Sequence, residues 1–264
     1  MGITLTTLQK KKAEGTRITM LTAYDASFAG LMQQADIDCL LVGDSLGMVV
    51  AGHVNTTPVS VDDMAYHAAA VARGAPGCWR IVDMPFMSYA TVKQALASAQ
   101  RLMQEGQANM VKLEGGHSSQ LDVIRALSEQ NIAVCAHLGL TPQTVDKLGG
   151  YRTVGKRDGE AEQLREQALA VQAAGAEMLV LECIPRGLAA EITAALDIPV
   201  IGIGCGPATD GQVLVSYDAI GISPHIPYFS HNFLEGQASL LDAFAAYREA
   251  VISGAFPGDE HARD

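Results

Sequence analysis

Long apolar runs are absent from this sequence of 264 residues. No stretch of roughly 18 consecutive apolar residues occurs, so a transmembrane helix is not expected. The first fifteen residues lack the apolar core of a signal peptide and carry three lysines instead. We therefore expect a cytoplasmic protein with no membrane partner.

Cysteine is scarce and shows no pairing pattern. The five cysteines are an odd number with no close pair, and they are Cys39, Cys78, Cys135, Cys183 and Cys205. Three of them lie in or beside apolar, strand-like runs. This pattern favours small core residues in a reducing cytosol over a disulfide framework.

Positive charge is also in deficit. The chain has 18 Lys and Arg against 29 Asp and Glu, which gives a formal net charge of -11. This balance argues against nucleic acid and anionic membrane surfaces as partners. It fits an enzyme but indicates no particular substrate.

Short apolar runs alternate with Ala-rich amphipathic stretches along the chain. The runs are typical of strands buried on both faces, and they cover Ile18–Leu21, Leu40–Val42, Arg80–Val82, Met110–Leu113, Ile132–Ala136, Met178–Leu181, Pro199–Ile203 and Val213–Val215. Helix-like stretches between them include Asp62–Arg73, Thr91–Gln104, Ser119–Glu129, Glu160–Ala174 and Leu188–Leu196. Eight strands alternating with helices over about 250 residues predict an α/β fold, a (β/α)8 TIM barrel. An open doubly wound sheet is the alternative.

No linker composition divides the chain. We therefore expect a single barrel domain over residues 1–264. A C-terminal helix is predicted near residues 239–252, after the eighth strand. The polar tail, residues 257–264, is expected to be loose.

Several predicted strands end on a carboxylate. Asp44, Asp83, Glu114 and Glu182 follow the second, third, fourth and sixth strands. In a closed parallel barrel these strand ends converge on one mouth. Carboxylates that lie close together repel one another unless a positive charge lies among them, and a hard divalent cation is the usual solution. Each acid alone would more simply be a solvated loop residue or a helix cap, but together they predict a metal site with Asp44 and Asp83 as ligands. Glu114 is predicted as a third ligand, direct or through water.

Other polar residues at the strand ends are candidates for supporting roles. Lys112 precedes Glu114 by two residues, so period-two alternation places both side chains on one side, where Lys112 could neutralise Glu114. His137 ends the fifth strand and is interpreted either as orienting a carboxylate or a substrate oxygen, or as a satisfied barrel histidine. Tyr24, at the end of the first strand, is a candidate pocket-lining residue. Glu182 is a candidate general base, with a structural partner of Lys112 or His137 as the alternative.

Four segments carry a specific resemblance to a known family. They are Leu41–Met48 (LVGDSLGM), Val111–Gly116 (VKLEGG), His137–Gln143 (HLGLTPQ) and Ile201–Gly204 (IGIG), with further matches at Asp83–Met87 and Pro257–His261. The chain resembles the ketopantoate hydroxymethyltransferases from about Leu8 to His261. Long motifs in this order are more specific than an isolated glycine pattern.

The resemblance implies a fold and an activity. It implies a (β/α)8 barrel of the phosphoenolpyruvate/pyruvate-binding kind, with one Mg²⁺ per subunit. It also implies transfer of a hydroxymethyl group from 5,10-methylenetetrahydrofolate to 3-methyl-2-oxobutanoate through a Mg-stabilised enolate, giving 2-dehydropantoate in pantothenate biosynthesis. A large homo-oligomer, commonly a decamer, is implied as well.

The resemblance further implies residue roles. Asp44, Asp83 and Glu114 correspond to the metal site, and Glu182 corresponds to the proton acceptor. Asp44, Ser45, Asp83 and Lys112 correspond to the substrate-binding residues.

Three other functions stay open at this point. One is a metal-dependent 2-oxo acid lyase of the same barrel kind, which dependence on folate would exclude. Another is a Schiff-base enzyme that uses Lys112 as nucleophile. The third is a non-catalytic metabolite-binding barrel, which would bind ligand and metal without turnover.

Overall fold

Eight strands close a parallel barrel in the computed structural model, which describes residues 2–264. The strands are β1 Ile18–Thr22, β2 Cys39–Val42, β3 Trp79–Asp83, β4 Met110–Glu114, β5 Val134–Gly139, β6 Met178–Glu182, β7 Val200–Ile203 and β8 Gly211–Leu214. Each strand pairs with its neighbours in sequence, and β8 pairs with β1. The predicted (β/α)8 barrel is confirmed, and every predicted strand overlaps an observed one.

Helices follow most of the strands. They are α1 Leu5–Ala13, α2 Ala26–Gln34, α3 Leu46–Val49, α4 Val61–Gly74, α5 Val92–Gln104, α6 Ser118–Glu129, α7 Val145–Leu148, α8 Glu160–Ala173, α9 Arg186–Ala195, α10 Ser216–Ala219 and α11 Leu240–Ser253, with 3-10 helices at Pro142–Thr144 and Asp259–His261. The side chains of Ser60, Thr91 and Ser239 accept backbone N–H groups at the starts of α4, α5 and α11, which satisfies donors that a helix start leaves free. Within residues 2–264, none of these helices has both the length and the apolar character needed to cross a membrane.

The side chains inside the barrel change from apolar to polar along the strands. On β4, Met110 belongs to the apolar interior, whereas Lys112 and Glu114 line a cavity at the C-terminal end. On β5, Cys135 is followed by His137 in the same way. Because side chains two residues apart point to the same side of a strand, these strands supply first a packed apolar layer. Above it they supply a polar layer, which forms the floor of the cavity.

Helix α1 closes the opposite end of the barrel. Its Leu8 is fully buried and packs with Ile18 at the start of β1. Lys11 lies 2.6 Å from Asp38, just before β2, and Lys12 lies 2.7 Å from Asp210, just before β8. The cavity therefore opens only at the C-terminal end of the strands among the residues described here, 2–264.

The C-terminal tail differs from the expectation of a loose segment. The backbone N–H of Arg186 donates to the carbonyl of Arg263 at 3.2 Å, and the Arg186 guanidinium contacts Asp259 at 2.8 Å. The Arg263 guanidinium lies 4.2 Å from the centroid of the Tyr228 ring. Residues 257–264 thus pack beside the cavity, because charged side chains on α9 and within the tail pair with each other.

Candidate active site

A cavity of about 950 Å³ opens at the C-terminal end of the barrel. Seven of the eight predicted site residues line it, and these are Asp44, Ser45, Asp83, Lys112, Glu114, His137 and Glu182. Tyr24 does not line the cavity. It is buried behind Ser45, and its hydroxyl lies 2.9 Å from the Ser45 hydroxyl.

The parallel register sets Asp83 beside Lys112. These two residues are direct partners in the β3–β4 ladder, and Lys112 Nζ lies 2.6 Å from Asp83 Oδ1. Both side chains are about 95% buried. Lys112 was predicted to neutralise Glu114, but its close ion pair is with Asp83. Register explains the difference, because Asp83 and Lys112 sit at the same height on adjacent strands.

Lys112 is held in its charged form. Burial alone would lower its pKa, but Asp83, Glu114 and Asp44 together raise the pKa of Lys112 above its usual range. A protonated amine cannot attack a carbonyl, so this environment disfavours the Schiff-base alternative.

His137 connects two carboxylates across adjacent strands. Glu114 and His137 are partners in the β4–β5 ladder, and His137 Nδ1 lies 3.5 Å from Glu114 Oε1. The other ring nitrogen, Nε2, lies 3.3 Å from Glu182 Oε2 on β6. Burial and Lys112 would lower the pKa of His137, but contacts with Glu114 and Glu182 outweigh them and raise it to about 9. His137 therefore contacts the carboxylates of two neighbouring strands, and its Nδ1 also lies 3.4 Å from Lys112 Nζ.

The backbone around Glu182 is tightly constrained. The Glu182 carbonyl accepts the N–H of Leu140 at 2.8 Å, and a Cβ on Gly139 would collide with that carbonyl oxygen. The next residue, Cys183, has φ +48°, a region that non-glycine residues rarely adopt. The chain therefore turns sharply after β6 and leaves the Glu182 side chain at the cavity wall.

Asp44 lies among other carboxylates at the end of β2. Its backbone N–H donates to Asp83 Oδ2 at 3.0 Å, and its own Oδ2 accepts from the Gln143 amide at 2.8 Å. Burial, followed by the charges of Asp83 and Glu114, raises the pKa of Asp44 to about 8. Repulsion among these buried carboxylates therefore favours a proton or another positive charge at Asp44.

This electrostatic strain predicts a pH dependence for the metal-free protein. Asp44 ordinarily titrates near 3.8 and here near 8, and His137 moves from 6.5 to about 9. The folded state thus binds protons that the unfolded chain has already released, so stability falls as pH rises through these windows. In EDTA, we expect the Tm measured by scanning fluorimetry to fall between about pH 5 and about pH 9. Asp44→Asn should flatten the slope, and a Tm that rises over this range would refute the assignment.

The donor set of the floor fits a divalent cation. Asp83 Oδ1 contacts the Lys112 ammonium and Oδ2 accepts the Asp44 N–H, whereas no side chain of residues 2–264 donates to Asp44 Oδ1. Within the same residues, no three His, Cys, Asp or Glu side chains are grouped so as to hold a metal by themselves. Mg²⁺ commonly takes one or two carboxylates and fills its shell with substrate oxygens and water. Asp44 and Asp83 suit that pattern, and Glu114, which also contacts Gln143 and His137, faces the same cavity.

Two residues of the site were missed by sequence reasoning. Gln143, in the 3-10 helix after β5, and Tyr89, in the loop after β3, are both buried against the carboxylates. Gln143 ends the segment HLGLTPQ that carries part of the family resemblance, and this position was the available signal. Tyr89 lies in an irregular loop with no periodic pattern.

Fold and site together define a class of protein. A crystal structure of 2,3-dimethylmalate lyase, described as a PEP mutase/isocitrate lyase superfamily member, matches with a TM-score of 0.60 and 16% identity over 98% of this chain and 100% of that chain. Phosphonopyruvate hydrolase in complex with oxalate and Mg²⁺ matches with a TM-score of 0.62 and 12% identity over 97% and 92% of the two chains. At such identities the likeness concerns the fold alone. The chain shares the TIM-barrel fold of these proteins.

Sequence relatives identify the family within that class. The family model of ketopantoate hydroxymethyltransferase matches residues 2–259, and the chain belongs to this family. A 3-methyl-2-oxobutanoate hydroxymethyltransferase of Pseudomonas putida is 54% identical over 98% of this chain and 97% of the relative. One of Shewanella loihica is 55% identical over 98% of both chains. The protein is an enzyme that transfers a hydroxymethyl group, as the motifs predicted.

Proposed function

We propose that this enzyme transfers a hydroxymethyl group from 5,10-methylenetetrahydrofolate to 3-methyl-2-oxobutanoate, giving 2-dehydropantoate for pantothenate biosynthesis. The names of relatives about 54% identical support the 2-oxo acid as acceptor. One observation carries the chemical proposal. A carboxylate suited to act as base, Glu182, lies on the same cavity as the Asp83–Lys112 ion pair and Asp44.

Asp44 and Asp83 would hold Mg²⁺, with Glu114 bound directly or through water. A solved barrel of the same fold, phosphonopyruvate hydrolase, was crystallised with oxalate and Mg²⁺, and oxalate, like a 2-oxo acid, offers two adjacent oxygens. Bound Mg²⁺ supplies Lewis acidity that polarises the ketone and makes the neighbouring C3 proton more acidic.

The residues of the chain supply the remaining steps. The Lys112 ammonium and the Ser45 hydroxyl bind the substrate carboxylate, and Tyr24 holds the Ser45 hydroxyl from behind at 2.9 Å. The Glu182 carboxylate takes the C3 proton, and His137 orients that carboxylate from 3.3 Å. C3 then forms a bond to the methylene carbon of the folate as one C–N bond of that carbon breaks. Water supplies the hydroxyl as the second C–N bond breaks, and the protons from C3 and from water leave on the two nitrogens of tetrahydrofolate.

The size and lining of the cavity support a second, larger ligand. A volume of about 950 Å³ is at the upper end of ordinary small-molecule sites, which span about 300–1,000 Å³. Above the polar floor, the walls carry aromatic and aliphatic side chains that include Tyr151, Ile222, Ile226, Tyr228 and Phe229. A five-carbon acid would leave most of this space unfilled, whereas a flat folate ring system suits apolar walls.

Hydrogen exchange at C3 tests this function directly. Proton NMR of 3-methyl-2-oxobutanoate in D₂O, with protein and Mg²⁺ but no folate, should show loss of the C3–H signal. EDTA should stop the loss, because the C3 proton is then too weakly acidic for Glu182. Adding 5,10-methylenetetrahydrofolate should then yield 2-dehydropantoate.

The same NMR experiment distinguishes the transferase from a binding-only barrel and from a lyase. Absence of exchange from folded, Mg²⁺-loaded protein, with and without folate, would leave a binding-only barrel. Cleavage of a 2-oxo acid without folate would indicate a lyase. Assembly into a homo-oligomer, with a decamer as the implied form, and a cytoplasmic location stay predictions.

A further inference from the structure

A buried hydrogen-bonded pair lies behind the carboxylates of the floor. The Tyr89 hydroxyl lies 2.6 Å from Gln143 Oε1. The Gln143 Nε2 amide donates to Asp44 Oδ2 at 2.8 Å and to the Met84 carbonyl at 3.0 Å. Both Tyr89 and Gln143 are less than one-tenth exposed, and neither lines the cavity.

The surroundings favour one orientation of the Gln143 amide. The Met84 carbonyl, 3.0 Å from Nε2, cannot donate a hydrogen bond, and the Asp44 carboxyl cannot donate once it is ionised to bind a cation. The Tyr89 hydroxyl accepts the Glu114 backbone N–H at 3.3 Å, so its own proton is free to be donated to Gln143 Oε1. Turning the amide over would set oxygen against oxygen at Asp44 and Met84.

Gln143 also reaches a second carboxylate through its backbone. Its N–H donates to Glu114 Oε2 at 3.1 Å. A single residue therefore donates to both Asp44 and Glu114, whose like charges disfavour close approach. Hydrogen bonds to ionised groups are among the stronger ones and fix geometry.

We propose that Gln143 is a positioning residue, oriented by Tyr89, that holds Asp44 and Glu114 in a fixed arrangement and so sets the affinity of the floor for a divalent cation. This inference rests on the proposed function, because it assumes that the floor binds Mg²⁺. Oδ2 of Asp44 is tied to Gln143, which leaves Oδ1 for the cation. Loss of a residue that hydrogen-bonds a metal ligand commonly lowers metal affinity by about 10- to 100-fold.

Isothermal titration of the full-length protein with Mg²⁺ alone tests the proposal. Gln143→Leu removes the amide, and Gln143→Glu keeps an acceptor for Tyr89 but presents an oxygen to Asp44. Both variants should weaken Mg²⁺ binding by about 10- to 100-fold. Tyr89→Phe removes one oxygen atom and should weaken it less, because the amide stays but is no longer oriented. Gln212→Leu is the matched control, since Gln212 is equally buried yet donates to Gly206 and Thr209 outside the cavity.

A double-mutant cycle separates positioning from general stability. If Tyr89 acts through Gln143, the double variant should bind Mg²⁺ as Gln143→Leu does, without additive loss. Gln212→Leu should lower the Tm yet keep wild-type Mg²⁺ affinity. Wild-type affinity in folded Gln143→Leu and Gln143→Glu would overturn the inference alone, with the proposed function intact. A wild-type protein that binds no Mg²⁺ would refute both. If the Gln143 variants do not fold, Tyr89→Phe decides, and unchanged Mg²⁺ affinity in that variant overturns the inference.

Discussion

Glu182→Gln is expected to lower both C3–H exchange and kcat for hydroxymethyl transfer by about 10²- to 10⁴-fold, the usual contribution of a positioned general base. The amide has nearly the shape of the carboxylate but cannot accept a proton at neutral pH. Glu182 contacts His137 and not the Asp83–Lys112 pair. Binding of Mg²⁺ and of 3-methyl-2-oxobutanoate should therefore change little. Exchange rates by NMR and affinities by isothermal titration measure the two effects separately.

Glu191→Gln provides the control for this variant. Glu191 pairs with Arg165 at 2.6 Å on outer helices, so its loss should leave exchange unchanged. Exchange by Glu182→Gln within tenfold of wild type would place the base elsewhere.

The cavity floor was largely predictable from strand patterns. Met110, Lys112 and Glu114 alternate along β4, so an inward-facing Met110 requires the other two to face inward as well. Parallel strands of a closed barrel end at one mouth, and this rule brings Asp83 and Glu182 to one cavity although they are far apart in sequence. Periodicity and topology together therefore predicted which side chains face the cavity.

Residues outside the strands were harder to predict. Helix α1 carries one fully buried residue, Leu8, among polar neighbours. The helix therefore lacks the apolar stripe by which a sequence pattern predicts a helix. Its place is set by the ion pairs of Lys11 and Lys12 with loop carboxylates far along the chain. The sequence also did not predict which charged side chains pair across neighbouring strands, since strand register depends on loop geometry. Only the register shows that Lys112 meets Asp83 rather than Glu114.

Lys112→Met is expected to lower the free energy of unfolding by about 3–5 kcal/mol in EDTA, the usual effect of removing one partner of a buried ion pair. The thioether side chain preserves length and packing. It leaves Asp83 buried without its cation, beside Asp44 and Glu114. Urea denaturation monitored by circular dichroism measures the loss. Added Mg²⁺ should restore part of the stability, because a ligand that binds only the folded state stabilises it and here neutralises the same carboxylates.

Two further variants make this outcome specific to the ion pair. Lys93→Met changes an exposed lysine on α5 and should shift stability by at most about 0.5 kcal/mol. Adding Asp83→Asn to Lys112→Met removes the stranded charge, so the double variant should be more stable than Lys112→Met alone. Equal stability of wild type and Lys112→Met in EDTA would mean that desolvation of the pair offsets its attraction. In that case Lys112 would be retained for binding the substrate carboxylate rather than for folding.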